Sequence, residues 1–289
     1  MEARCPVLLS RGEAWEGTVR LRTAAEFPPT PPGAWTQDPT RYWCYVPGGR
    51  FRSGLDRSAD NPLDDEAKEV GDFFAARFEV SIDEWFRFVN DPEVLAKITN
   101  TEGHLIWVPR RTTAFNAFSF PGPDGRYLTP PYWWERPVSA VSWRDAEVYV
   151  GWMRKRLAVS GGWEVGLPHE AEWEKAGRGV DGRVFPWGDR FDWSFCKGYR
   201  SRPRDARPEP FGQFAWDEGP YGVRDMAGGE SEWTADRFTP LGVHLAVRGG
   251  SWSAGDPREF RLASRSDAED SQVSTAVGLR LIVRRVAGK

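Results

Sequence analysis

Sixteen tryptophans share this 289-residue chain with thirty glycines and twenty-three prolines. That combination restricts the fold before any motif is read. Average usage of Gly and Pro together is roughly 12%, and the excess here interrupts helices and strands too often for a regular architecture. The large rings must then supply the buried area that long regular elements supply elsewhere. The chain is long enough to bury a core without disulfide or metal staples. Of its 39 basic residues only six are lysine. Arginine has a planar fork that stacks on indole and bridges carboxylates in pairs, so arginine is expected to tie the loops together.

The same numbers exclude several classes. A net charge of −3 gives no electrostatic footprint for nucleic acid. No apolar run approaches the ~20 residues that span a bilayer. The opening residues carry too short an apolar stretch for a signal peptide. The expectation is a cytoplasmic protein with neither nucleic-acid nor membrane partners. Cys5, Cys44 and Cys196 are few and scattered, which argues against a disulfide framework. His104, His169 and His244 lie far apart and near no cysteine, so no zinc site is expected.

Residues 1–41 read as an N-terminal strand (Gly17-Thr-Val-Arg-Leu-Arg-Thr) and a Pro-rich connector, and residues 42–289 as one domain. A strand is expected around Tyr42–Phe51 and a polar loop over 54–68. Ser81-Ile-Asp-Glu84 is a capping box, followed by Ile82, Trp85, Phe86 and Val89 at helical spacing and ended by Asn90-Asp-Pro. Ser142-Trp-Arg-Asp145 predicts a second helix to about Leu157, closed by Ser160-Gly-Gly. A short third helix is expected after Leu167-Pro-His, with Pro168 at its head. Residues 100–137 read as loop. The pattern is α+β, with no βαβ alternation and no repeat.

The order of motifs is informative. Val46-Pro-Gly-Gly-Arg-Phe and Phe78-Glu-Val-Ser-Ile-Asp-Glu-Trp precede Pro137-Val-Ser-Ala-Val-Ser-Trp-Arg-Asp-Ala. Then come Leu167-Pro-His-Glu-Ala-Glu-Trp, Phe185-Pro-Trp-Gly-Asp, Tyr221-Gly-Val-Arg-Asp-Met-Ala-Gly-Gly-Glu-Ser-Glu-Trp, Arg248-Gly-Gly-Ser-Trp and Gly278-Leu-Arg-Leu. Over residues 42–285 this resembles the formylglycine-generating enzyme (sulfatase-modifying factor) family. The resemblance implies an elaborated C-type-lectin-like fold: a small twisted antiparallel sheet, flanking helices and much loop. In style the chain is similar to modules attached to bacterial serine/threonine kinases. It also resembles the variable proteins of diversity-generating retroelements, which display ligand-binding residues on a similar C-terminal frame.

In the family's active enzymes two C-terminal cysteines bind copper and activate oxygen. The matching positions here hold Ala254 and Glu259, and no cysteine follows Cys196. Cu(I) needs a soft thiolate, which neither residue supplies, so neither copper nor iron is expected. The family's iron-dependent sulfoxide synthases use histidines on an added helical domain for which this chain has no segment. Gly250-Ser-Trp-Ser-Ala lacks the Gly-x-Ser-x-Gly elbow of a serine nucleophile. The resemblance does imply a structural Ca2+ at Asp225-Met-Ala-Gly-Gly-Glu-Ser-Glu232, with side chains from Asp225 and Glu232 and carbonyls from Gly228 and Glu230. Residues 253–260 and 266–276 are small, polar and acidic, without periodicity, and read as exposed loops on a rigid frame, where binding residues concentrate. Ser253, Asp256, Arg258, Glu259, Phe260, Asp267, Glu269, Asp270 and Gln272 are the candidates for contacting a protein partner or small ligand. The function expected is a non-catalytic binding module, an accessory or sensor in bacterial signalling or defence. An oxygen- or metal-dependent oxidoreductase and a ligand-displaying variable protein are the alternatives.

Overall fold

The structure is a computed structural model that describes residues 43–64, 66–99, 107–109, 120–157, 162–203 and 206–286. The expected strand at 17–23, the Pro-rich connector, Cys5, His104 and, of the expected closure, Ser160 and Gly161 fall outside these residues.

Chain order begins with strands β1 (Trp43–Val46), β2 (Gly49–Ser53), β3 (Glu66–Val70) and β4 (Phe73–Ala76). Helices α1 (Ile82–Val89) and α2 (Pro92–Leu95) follow, then β5 (Phe120–Pro121), β6 (Tyr127–Leu128), α3 (Trp143–Leu157), β7 (Trp163–Gly166) and α4 (Glu170–Arg178). The last part holds β8 (Ser231–Arg237), β9 (Leu245–Arg248), β10 (Arg265–Ala268), β11 (Val277–Leu279) and β12 (Ile282–Arg285). One four-stranded sheet has the order β1-β4-β12-β7, all antiparallel. A second has the order β10-β9-β8-β11 and is antiparallel except for the β11–β8 pair. Between α4 and β8 the described chain runs for some fifty residues as turns and isolated bridges, the irregularity that the Gly and Pro content predicts.

The local helix signals hold. The Ser81 hydroxyl accepts from the Glu84 amide at 3.0 Å, and the Glu84 carboxylate accepts from the Ser81 amide at 2.8 Å. Ser142 and Asp145 repeat the arrangement before α3. Between α1 and α3 the core is built from rings: Trp85 stacks on Tyr149 at 5.0 Å and Phe88 meets Tyr149 edge-on at 5.4 Å. Such pairs add about 0.5–1.5 kcal/mol each beyond their buried area.

Two expectations are corrected. The polar loop over 54–68 ends early, because Glu66–Lys68 pair with Phe51–Ser53 in a β2–β3 hairpin. Residues 266–268 are strand, not loop, since β10 pairs with β9. Pro168 lies one residue ahead of the N-cap of α4, which is His169. The expected arginine glue is present: Arg178, Arg248 and Arg280 are each fully buried.

Candidate functional site

The C-terminal face is framed by β9, β10 and a short 3-10 turn, Pro257–Phe260. Asp256 caps that turn: its carboxylate accepts from the Arg258 amide at 2.9 Å, and Glu259 accepts from the Asp256 amide at 3.0 Å. Glu259 also accepts from the Gly255 amide at 3.2 Å. One of its carboxylate oxygens is therefore taken up in closing a turn, and the side chain stays exposed. Ala254 is buried against Phe185, Cys196, Ala227 and Phe260. The two positions that the resemblance sets against copper ligands thus hold a buried methyl group and a turn cap. Cys196 lies in the same apolar cluster, where burial pushes its thiol well above the usual range. Cys44 is likewise pushed up by burial, to about 11. Neither described cysteine is a ready thiolate.

Of the candidate ligand-contacting residues, Ser253, Arg258, Glu259, Asp267, Glu269 and Gln272 are exposed, and Asp256 and Asp270 half-buried. Phe260 is a correction. It is fully buried, 5.3 Å from Phe191 and 5.5 Å from Trp193 ring to ring. A polar sequence around it concealed an anchor that holds the turn onto the 185–196 segment. The exposed candidates are tied into place. Arg258 bonds Asp256 at 2.8 Å and holds that carboxyl below the usual carboxylate range. Asp267 contacts the His244 ring, and Asp270 pairs with Arg144 at 2.9 Å. Ser253 shares a hydrogen bond with Ser251 at 3.0 Å. The face is polar, and much of its charge is paired.

Beneath it lies a charge network that the sequence reading did not single out. Glu174, on α4, accepts from the Gly54 amide (2.8 Å), the Ser53 hydroxyl (3.2 Å), Arg178 (2.6 Å) and Arg248 (3.0 Å). Arg248 also pairs with Glu170 at 2.8 Å and lies over the Trp173 ring. Partners so remote in sequence leave no periodic signal. The one local clue is Glu174 four residues before Arg178 on the same helix.

Two side chains of the expected calcium set already have partners. Asp225, Gly228, Glu230 and Glu232 do share the turn leading into β8. However, Glu232 is saturated: it accepts from Arg280 at 2.7 Å and from the Trp173 indole at 2.8 Å. Asp225 accepts from the Gly212 amide at 2.7 Å. Asp217, from outside the motif, clamps the turn by accepting from the amides of Met226, Ala227 and Gly228. Among the described residues no group of three His, Cys, Asp or Glu side chains is disposed for a metal. His169 bonds Asp236 at 2.7 Å, which raises its pKa, and His244 bonds Asp267, so both described histidines are engaged by carboxylates. No described helix is long and apolar enough to cross a membrane.

Small antiparallel sheets, few helices and long ordered loops define a C-type-lectin-like α+β protein. Residues 30–285 match the sulfatase-modifying factor enzyme 1-like domain, and the chain belongs to that family. It is 30% identical to the inactive C-alpha-formylglycine-generating enzyme 2 of Mus musculus, over 75% of each chain. It is 26% identical to the formylglycine-generating enzyme of Bos taurus, over 90% of this chain and 79% of that one. Among solved structures, Treponema denticola variable protein 1 superposes with a TM-score of 0.61 at 15% identity, over 84% of this chain and 94% of the other. The relatives thus include both an active and an inactive member.

Proposed function

We propose that this chain is a non-catalytic recognition module that binds a protein or small ligand through its C-terminal face, as an accessory or sensor of a bacterial, cytoplasmic signalling or defence system. The observation that carries the reading is the state of Ala254 and Glu259. One is a buried methyl and the other a turn cap, and no thiol follows Cys196. Copper chemistry of the family's kind requires a soft ligand at these positions. The similarity to an inactive vertebrate relative supports the same reading. Ser253, Arg258, Glu259, Asp267, Glu269 and Gln272 supply the contact surface, on a frame fixed by Arg248 and Phe260.

The test is a Cu(I) titration against a competing chelator, followed by incubation with cysteine-containing sulfatase-type peptides in air. The expected result is no stoichiometric copper and no conversion of the cysteine. Stoichiometric copper or iron accompanied by oxygen consumption would establish the oxidoreductase alternative and overturn the proposal.

A further inference from the structure

The irregular segment between α4 and β8 carries a row of aromatic rings that ends in solvent. Phe185 is fully buried and stacks on Trp187 at 5.2 Å. Trp187 meets Phe195 edge-on at 5.6 Å, and Phe195 meets Trp216 at 5.3 Å. Exposure grows along the row: Trp187 and Phe195 are half-buried, and Trp216 is 62% exposed. The row is rooted in the core, since Phe185 shares an apolar cluster with Ala254 and Phe260. The Trp187 indole N–H already donates to the Arg190 carbonyl at 2.7 Å, so what this ring offers outward is apolar surface. An indole as open as Trp216 adds little buried area to the fold, and an apolar strip on a fixed frame marks a contact site. Trp187, Phe195 and Trp216 are not among the candidate contacts of the C-terminal face, so this surface is additional to the one proposed above.

Pro28-Pro-Thr-Pro-Pro32, which lies outside the described residues, matches this row in chemistry and spacing. Proline runs favour the polyproline II helix, with three residues per turn and a rise of about 3.1 Å per residue. At that period Pro28 and Pro31 share one edge and Pro29 and Pro32 share the next, each pair about 9 Å apart. Trp187 and Trp216 flank Phe195, so their ring centres are at most about 11 Å apart, roughly one such turn. Proline brings no backbone N–H, so its ring covers an indole without burying an unanswered donor. Aromatic-lined surfaces recognise proline-rich segments in this way. The segment also reaches. Eleven residues link Pro32 to Trp43 on β1, a span of up to about 36 Å. The Cys44 sulfur, next in β1, lies 3.5 Å from the Cβ position of Gly222. Trp216 precedes Gly222 by six residues and is therefore within about 22 Å of it. We propose that the Trp187–Phe195–Trp216 row is the docking site of this chain's own Pro28–Pro32 segment, bound within the same molecule.

The experiment is fluorescence anisotropy of a fluorescein-labelled peptide of residues 24–36, titrated with the full chain. The P28A/P29A/P31A/P32A variant frees the row of its segment and should bind the peptide saturably. Wild type should bind it roughly tenfold more weakly or less, because the tethered segment competes at high effective concentration. W216A, added to the four-alanine chain, should weaken binding by roughly tenfold or more, as loss of an aromatic anchor does. L241A in the same chain, at a fully exposed leucine between β8 and β9, should change it by less than about twofold. No peptide binding by the four-alanine chain overturns the proposal. So does equal affinity in that chain and in wild type, or binding that survives W216A or falls equally in L241A. Sedimentation supplies the remaining arm: a wild-type dimer that W216A or the four alanines dissociate assigns the contact to a second copy and overturns docking within one molecule.

Discussion

At the residue scale the chain is held by a few buried charges with many partners, and Glu174 is the clearest case. Its two oxygens answer two guanidiniums, one amide and one hydroxyl, and so join α4, β9 and the loop after β2. Glu174→Gln keeps the shape and removes the charge, leaving Arg178 and Arg248 partly unanswered in the core. The expected loss is about 3–5 kcal/mol, read by chemical denaturation. The next residue behaves differently. Lys175 is buried against the Phe51 ring, with the Gly49 carbonyl as an acceptor at 2.9 Å, and burial lowers its pKa to about 8. An unfolded lysine titrates near 10.4, so between these values the unfolded chain binds more protons and stability must rise with pH. Wild-type stability is therefore expected to climb by on the order of 2–3 kcal/mol from about pH 8 to 10 relative to Lys175→Met. A difference that stays flat over this range would refute the assignment. Neither role was legible in the sequence, because the partners lie up to 126 positions away.

At the element scale, what could be read was what is local. The boxes at Ser81–Glu84 and Ser142–Asp145 work within one turn, so the spacing alone located α1 and α3. Ser81→Ala removes the acceptor for the Glu84 amide and should cost about 1 kcal/mol, visible as a lowered denaturation midpoint with unchanged slope. Phe260 shows the opposite case. Its turn is one residue beyond a single helical repeat, its neighbours are polar, and its contacts with Phe191 and Trp193 lie more than sixty positions upstream. No amphipathic pattern can form over four residues, so burial there could be learned only from tertiary structure. The same holds for β3 and β10, short strands of polar sequence whose pairing partners, not their side-chain alternation, define them. Among the candidate surface residues, six polar side chains are exposed, Asp256 and Asp270 are half-buried, and Phe260 alone is fully buried.

At the scale of the whole molecule, the ordered motifs pointed to the family that the match over residues 30–285 shows, and in this fold they mark turns and buried anchors such as Arg248 and Trp233. The charge-rich turn before β8 illustrates the limit: its residues could be named in advance, but which of them meets Arg280 and which meets a backbone amide depended on the fold. One topological detail governs how such a chain can be made. β12 lies between β4 and β7, and β11 closes the edge of the second sheet beside β8. The first sheet therefore cannot close until residues 282–285 are present, since β4 and β7 lack their common neighbour without them, whereas β8, β9 and β10 can pair before β11 arrives. A chain truncated before residue 277 should consequently be cut by protease around β4 and β7 sooner than around β8–β10, and adding back 277–285 should protect the first sheet.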